Sequence, residues 1–443
     1  MYISVRDRPA RDGDGRSARQ RVAGTVVLLG IVSLLTDISS ESVNAILPIY
    51  ITSVLGMSAL SYGFVDGIYQ GVSALVRIAG GWWADRSDRP KPVAVLGYGL
   101  SMLSRIALLP AHGLASITSV ITVDRLGKGL RTAPRDALIS SASAPESLGR
   151  AFGTHRAMDT FGALVGPLMA FWILILLPAN YHAIFVTSFG FAVLGVAVLL
   201  LFVPDLRPRR SLAPAESAVT TSLANTVDTS VVESSPSRPT LRLLLDPKLG
   251  RLCMAAGILG LVTIGDGFLY LQLSERDSLA TKFFPLLYVG TNFAYLALAI
   301  PLGHLSDKIG RKRVFLGGNV ALLAAYGAAG GPIDGAAMTV VCLLLLGTYY
   351  AATDGVLAAI AGQSVPLEVR ASGIATAQTV VALARFGSSL CFGLLWTTLG
   401  RTEALTITSV AFVVVFPVSF WLLRSASAAQ PASITSDKEE SGR

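Results

Sequence analysis

Two carboxylic acids, Asp37 and Glu41, interrupt a long apolar segment near the start of the chain. They are four residues apart, so a helix would place them on one face. Serines and Asn44 lie around them, which gives the middle of the segment a polar patch. A carboxylic acid in such a setting can exchange a proton, because burial favours its neutral form and a nearby cation favours its charged form. We therefore predict that Asp37 and Glu41 carry protons.

Other apolar segments also contain charged residues. Arg125 and Lys128 lie in the fourth of these segments, and Asp266 and Asp354 lie in the second half of the chain. The two basic residues can hold carboxylates ionised or bind an anionic group of a ligand. Charges inside a membrane cost about 2.5–3.5 kcal/mol each on insertion scales, so they tend to be paired or functional. For any single residue, a fixed ion pair between helices is an equal alternative to a functional role.

The composition of the 443 residues indicates that lipid is the main solvent. Hydrophobic residues make up 52% of the chain and charged residues only 14%, with a mean hydropathy of +0.60. An ordinary soluble domain carries about 25% charged residues. These values exclude a soluble enzyme, a disordered chain and a disulfide-rich secreted domain. The net charge is +8, but the basic residues gather between apolar segments, so we do not predict nucleic acid as a partner.

Twelve apolar segments follow one another along the chain. Each is about 20 residues or longer, which is enough for a helix to cross the hydrocarbon core. None alternates with a period of two, so a β-barrel is excluded. We predict an all-α membrane protein with twelve transmembrane helices, called spans 1 to 12. Their approximate extents are 23–53, 60–84, 92–112, 115–138, 156–178, 182–204, 252–273, 283–306, 313–330, 336–362, 372–397 and 404–424.

Polar segments divide the spans into two groups of six. Residues 1–22 and 425–443 are predicted to be tails, and the Ser- and Thr-rich residues 205–250 a flexible linker. The two six-helix bundles then comprise residues 23–204 and 251–424. Basic residues concentrate on the side of the tails, which predicts that both termini are cytoplasmic. The expected location is the plasma membrane, or the inner membrane in a bacterium.

The two halves of the chain resemble each other. The segment GGWWADRSDRPK follows span 2, and GHLSDKIGRKR follows span 8, which places Asp85 and Asp307 222 positions apart. A second pair of motifs begins with Pro-Glu at residue 145 and Pro-Leu-Glu at residue 366, and its Pro, Arg and Gly positions recur with an offset of 220 to 221: Pro145, Arg150 and Gly153 match Pro366, Arg370 and Gly373. Two motif pairs with one offset indicate an internal repeat. Transporters with duplicated six-helix units bind substrate between the halves, near the bilayer midplane.

These loop motifs identify a resemblance to the major facilitator superfamily. The second copy matches the family's loop signature completely, whereas the first copy has Asp88 where a glycine is expected. The resemblance implies that Asp85 acts as a conformational latch on the cytoplasmic side by facing the start of span 11 near Gly373. An ordinary positive-inside loop is the alternative. The motif residues are Gly81, Asp85, Arg86 and Arg89 in the first copy, and Gly303, Asp307, Lys308, Gly310, Arg311 and Lys312 in the second.

Two further signatures of the family are present. Arg125 to Gly129 in span 4 resembles one, and a glycine series in span 5, ending in Pro167, resembles the other. The second goes with proton-coupled export in the family, although close helix packing would explain the same glycines. In the family, spans 1, 4, 7 and 10 line the central cavity. The span 5 residues are Gly153, Gly162, Gly166 and Pro167, and the implied cavity residues besides Asp37 and Glu41 are Asn44, Arg125, Lys128, Asp266 and Asp354.

The sequence therefore predicts a secondary active transporter. The leading hypothesis is proton-coupled export of a small organic compound by alternating access. One alternative is a symporter that imports a small organic anion with protons, and another is a non-transporting membrane receptor or scaffold. We find no phosphate-binding loop and no metal-ligand spacing, so we expect no enzymatic activity, cofactor or metal. The expected partners are a small-molecule substrate, protons or another coupling ion, and the lipid bilayer, and the protein is expected to be a monomer.

Overall fold

The structure is a computed structural model that describes residues 22–86, 90–144, 147–205, 247–366 and 369–425. The side chains of residues 73–75, 77–86 and 371 lie outside this description. Both predicted tails, except Val22 and Ser425, and most of the predicted linker also lie outside it. Over the described ranges the chain is helical and forms no β-strand, which confirms the all-α prediction.

Within these ranges, twelve helical segments follow the twelve predicted spans. Eight of them, the helices of spans 1, 5 to 8 and 10 to 12, are long and apolar enough to cross a membrane. The helices are α1a (Gly24–Asn44), α1b (Leu47–Ile49 with the π-helical turn Tyr50–Val54), α2 (Ala59–Arg86), α3 (Pro90–Ala107), α4 (Leu114–Ser141), α5 (Leu148–Leu176), α6 (Tyr181–Leu201), α7a (Pro247–Leu261), α7b (Asp266–Arg276), α8 (Phe284–Ile309), α9 (Arg311–Gly330), α10 (Ala336–Gln363), α11 (Arg370–Leu399) and α12 (Arg401–Ser425).

Spans 1 and 7 are each broken, which the sequence analysis did not predict. The first break separates α1a, which ends at Asn44, from α1b, which begins at Leu47, and the second separates α7a, which ends at Leu261, from α7b, which begins at Asp266. The two broken spans therefore occupy the same position in each half, as the first span of its bundle. Backbone groups freed inside a membrane need protein partners. In α7, the Tyr326 hydroxyl accepts a hydrogen bond from the Ile264 N–H at 2.7 Å and donates one to the Val262 carbonyl at 3.1 Å.

Two lysines confirm the repeat at the level of contacts. Lys91, at the start of α3, donates to the Val203 carbonyl at 2.6 Å, just after α6 ends. Lys312, at the start of α9 and 221 residues later, donates to the Leu423 carbonyl at 2.8 Å near the end of α12. A lysine is favourable there because the last carbonyls of a helix lack partners within the helix. The two six-helix bundles are therefore pseudo-symmetric, as predicted.

Helices α2 and α11 join the two bundles at one end of the molecule, which we call the far side because it is opposite to the start of α1a, and α5 and α8 also meet, where the Asn292 amide donates to the Ala163 carbonyl at 3.4 Å. The first turn of α2 packs on the last turns of α11, where the Leu60 N–H donates to the Thr397 hydroxyl at 3.0 Å. Nearby, the Ser389 hydroxyl donates to Asp66 at 2.6 Å. A Cβ on Gly63 would lie 2.3 Å from the Ser389 carbonyl oxygen, so the two backbones touch. Direct contacts therefore close the far side.

The glycines of the span 5 motif allow α5 to approach α1a. A Cβ on Gly162 would lie 2.6 Å from the Leu34 carbonyl oxygen, and one on Gly166 would lie 2.9 Å from the Ile38 carbonyl oxygen. Small residues at such positions let membrane helices pack closely. At Gly153, an added Cβ meets no described atom within 4 Å. Packing against α1a thus accounts for Gly162 and Gly166 but not for Gly153.

We predict that Gly162→Ala destabilises the folded protein by about 1–3 kcal/mol, because the methyl group forces α5 away from the α1a backbone. The matched variant Gly153→Ala adds the same methyl group in open space. It should keep or slightly raise stability, since alanine favours a helix over glycine by about 1 kcal/mol. Thermal unfolding of both variants in detergent measures the difference, and equal melting temperatures would contradict this account.

Candidate functional site

Two cavities between the described helices hold the polar residues of interest. The first, of about 440 Å³, is lined by side chains of α1a, α4 and α5, and we call it the carboxylate cavity. The second, of about 500 Å³, is lined mainly by α7a, α10 and α11, and we call it the arginine cavity. Arg156 of α5 and Tyr295 of α8 line both, so the two cavities meet there. Together they form a polar chamber that both bundles contribute to.

The structure brings the predicted proton carriers into the carboxylate cavity. Glu41 accepts a hydrogen bond from the Asn44 amide at 3.2 Å and lies 3.8 Å from the Lys128 ammonium. Asp37, one turn earlier, lies 3.7 Å from the guanidinium of Arg131. Each carboxylate therefore has a cation from α4 beside it. These pairs place the predicted residues Asp37, Glu41, Asn44 and Lys128 in one site.

Asp159 of α5 completes this cluster, and the sequence analysis did not select it. Its carboxylate lines the carboxylate cavity together with that of Asp37. Two carboxylates beside one cavity disfavour each other's charged form, which favours a proton on one of them. Asp159 also lies 4.0 Å from Arg135 and 3.5 Å from Arg156. The Asp37–Asp159 pair is thus a place where a proton can be held between two helices.

Close helix packing makes this carboxyl pair possible. A Cβ on Gly162 would lie 3.2 Å from the Cβ of Asp37, so a larger side chain in this turn of α5 would press on the pair. Asp159 lies one turn before Gly162 on the same face of α5. The predicted span 5 motif and the predicted proton carriers are therefore parts of one structure.

Arg125 lies apart from the cluster, although the resemblance places it among the cavity residues. It is buried and forms an ion pair with Asp124, which also binds Arg105 of α3 at 2.5 Å. The ring of Tyr69 covers the guanidinium at 3.7 Å. Arg125 lines neither of the two cavities described above. In this arrangement, one buried carboxylate pairs with two arginines and joins α3 to α4.

The two predicted acids of the second half occupy different environments. Asp266 is the first residue of α7b, where the helix dipole favours a negative charge, and accepts a hydrogen bond from the Tyr350 hydroxyl at 2.7 Å. Asp354 of α10 is exposed in the arginine cavity. Arg385 of α11 lines the same cavity, and the sequence analysis did not select it as a site residue. Asp354 and Arg385 come from different helices, and only the structure shows that both line one cavity.

The loop motif is described in its second copy. Gly310 joins α8 to α9 with φ of 101°, a conformation that favours glycine. Asp307 lies 3.2 Å from Arg311, and Lys308 lines a hollow of about 920 Å³ at the end of the molecule where α1a begins. In the first copy, Arg89 and the side chains of Asp85 and Arg86 lie outside the described residues, and only the helical backbone is described at Gly81. The latch by Asp85 is therefore still a prediction.

Comparison with known proteins identifies the family. The family model of the Major Facilitator Superfamily matches residues 29–281, which is more than half of the chain. An uncharacterized MFS-type transporter of Methanocaldococcus jannaschii is 30% identical over 387 residues, covering 85% of this chain and 89% of that protein. The chain belongs to the major facilitator superfamily. It is a multi-pass membrane transporter of that family, as the sequence motifs predicted.

Other similarities are shorter or structural. The multidrug resistance protein MdtH of Photorhabdus laumondii is 30% identical over 184 residues, covering 41% of this chain and 44% of that protein. A mutant of the nucleoside transporter NupG superimposes with a TM-score of 0.71 at 14% identity over 91% of this chain and 99% of that one. A bacterial homolog of the lysosomal transporter Spinster, inward-facing and unoccupied, gives 0.70 at 14% identity over 93% and 98%. These two structures agree with the fold.

We predict that Asp124→Asn destabilises the protein by about 3–5 kcal/mol, because it leaves Arg105 and Arg125 buried without a counter-charge. Asp354→Asn is the matched control, since that carboxylate is exposed in a cavity. Thermal unfolding in detergent should show a large loss for Asp124→Asn and little change for Asp354→Asn. Similar melting temperatures for the two variants would rule out the structural role of Asp124.

Proposed function

We propose that this transporter is a secondary active exporter that exchanges protons for a small organic compound. The carboxylate cavity supports the proposal most directly, because acids from two helices meet there beside basic residues of α4 and α5. A proton on the Asp37–Asp159 pair changes the charge of the cavity by one unit. Such a change alters the pairing of the cations around it, and thereby couples proton uptake to helix movement.

Export by alternating access fits the contacts between the bundles. The described contacts between α2 and α11 lie on the far side, and the carboxylate cavity includes Arg135 and Asp136 towards the other end of α4. We assign this arrangement to a state that loads substrate from the side of the chain termini, which we propose is the cytoplasm. Rocking of the two bundles would then open the far side. The similarity to a multidrug resistance protein supports the outward direction.

Proton coupling is tested by two transport assays on one set of reconstituted variants. Asp37→Asn and Glu41→Gln should each abolish or strongly reduce transport driven by a pH gradient, because they remove a proton-accepting group. Both should retain exchange of labelled for unlabelled substrate across the vesicle membrane, which needs no net proton movement. A panel of drug-like compounds and metabolites identifies the substrate in the wild-type protein first.

Glu403→Gln is the control for the removal of one carboxylate, since Glu403 is exposed at the start of α12 and remote from both cavities. It should transport like the wild type. Full pH-driven transport by both Asp37→Asn and Glu41→Gln would refute the proton-carrier role. Passive flux follows the substrate gradient in either direction, so the direction of pumping is read from the response to an imposed pH gradient.

A proton-coupled symporter for an organic anion is the second candidate. Arg156 favours it, because this residue lies 3.5 Å from Asp159 and also lines the arginine cavity. Protonation of Asp159 would release Arg156 from its partner, and the freed cation would attract an anion. Proton and anion would then bind together rather than in exchange. A pH gradient that is acidic outside drives accumulation by a symporter and expulsion by an antiporter, so this measurement separates the two.

The latch is tested in the first loop motif. Asp85→Asn should slow transport and leave substrate affinity unchanged, because the residue is proposed to stabilise one state of the cycle and not to touch the substrate. Asp307→Asn, the equivalent change in the second copy, measures whether both halves contribute. Unchanged turnover in Asp85→Asn would leave the first motif with the ordinary role of a positive-inside loop.

A further inference from the structure

Arg385 is a cation of the arginine cavity that pairs with tyrosines. Its Nη2 donates to the Tyr349 hydroxyl at 2.8 Å, and its guanidinium lies 5.9 and 5.8 Å from the ring centres of Tyr349 and Tyr350. Its Nε is buried and has no hydrogen-bond partner among the described residues. Over the same part of the chain, no carboxylate oxygen lies within 4.0 Å of the guanidinium. A guanidinium held in this way has hydrogen-bond donors available for a ligand.

The carboxylates nearest to the arginine cavity either accept a hydrogen bond from a hydroxyl group or are exposed in the cavity. Asp66 accepts the hydroxyl of Ser389 at 2.6 Å, and Asp266 accepts that of Tyr350 at 2.7 Å. Asp354 lines the cavity but is exposed in it. Arg156 adds a second guanidinium to the same wall, and 73% of its side chain is exposed. The described cavity lining therefore contains two arginines and one carboxylate, which favours an anion over a cation.

We infer that Arg385 binds the anionic group of the transported compound, a carboxylate or a phosphate, in the arginine cavity. The planar guanidinium forms two parallel hydrogen bonds with either group. The volume of about 500 Å³ suits a small organic molecule, and Gln70, Asn319 and Thr353 provide polar contacts for the rest of it. This inference rests on the proposed transport function and specifies its substrate class, a small organic anion.

The test is a binding assay on the purified full-length protein in detergent, without a gradient. The probes form two sets, and within each set the compounds share one ring and differ in the charge of the group attached to it. The first set is benzoate, phenyl phosphate, benzamide and benzylamine, and the second is indole-3-acetate, indole-3-acetamide and tryptamine. Thermal stabilisation as a function of probe concentration gives relative affinities. Stabilisation by a carboxylate or the phosphate, with little or none by the amides and amines, is expected. Which of the two anions stabilises more identifies the preferred group.

Variants assign the binding to Arg385. Arg385→Gln should weaken binding of the stabilising anion about tenfold or more, as expected for loss of hydrogen bonds to a charged group. Arg385→Lys keeps the positive charge but lacks the planar guanidinium, so its affinity for the anion should lie between those of the wild type and Arg385→Gln. Asp354→Asn removes the negative charge from the cavity and should strengthen binding, which gives a test that does not depend on the folding of an Arg385 variant. Arg401→Gln is the control for net charge, because Arg401 pairs with Glu275 on the far side.

Three results would overturn the inference. They are stabilisation by amides or amines as strong as by the anions, an affinity unchanged in Arg385→Gln and in Asp354→Asn, and no stabilisation by any anionic probe. Since no gradient is applied, anion binding can be found even if Asp37 and Glu41 carry no protons. Conversely, proton-coupled transport of a neutral compound would refute the anion site alone.

Discussion

The interior of this protein depends on the cost of placing a charge away from water. An isolated ion in a low-dielectric medium is so unfavourable that it either finds a partner or becomes neutral. The structure uses two solutions. Asp124 holds Arg105 and Arg125 in a buried cluster of direct ion pairs, and Arg125 lines neither cavity. In the carboxylate cavity, by contrast, the pairs are longer, at 3.7 to 4.0 Å for Arg131, Lys128 and Arg135, and they border open space.

This difference separates structural charges from candidate functional ones. When a tight ion pair has no access to a cavity, a change of protonation does not stabilise the protein, and removal of one partner strongly destabilises it. A loose pair beside a cavity can exchange its partner for water, a proton or a ligand at small cost. By this criterion we assign Arg125 to the framework, and we propose that Asp37, Glu41 and Asp159 change their protonation or their partners. The sequence alone places Arg125 and Lys128 three residues apart and assigns them the same role.

Much of the fold could be predicted from the sequence, because a membrane span has a strong local signal. The apolar segments predicted the helices, and the shared offset of the loop motifs predicted the two pseudo-symmetric bundles. The breaks at residues 45–46 and 262–265 escaped prediction, since each lies within a long apolar segment and hydropathy does not detect a missing helical hydrogen bond. Tyr326, which satisfies the second break, is far away in sequence. Hydropathy therefore finds the membrane segments but not the points where they bend.

The candidate site was predictable only where one helix supplies it. Asp37, Glu41 and Asn44 are visible together because they lie on α1a within two turns. Asp159 and Arg385 escaped selection because their importance comes from neighbours on other helices. Arg156 shows the consequence most clearly: the sequence places it among the charges at the start of span 5 without selecting it, yet it borders both cavities. Arg156 lies between the carboxylate of Asp159 and the proposed anion site. A strong ion pair with one of them weakens its attraction to the other, so the two sites affect each other through this guanidinium. We therefore propose Arg156 as the side chain through which proton binding and anion binding are coupled.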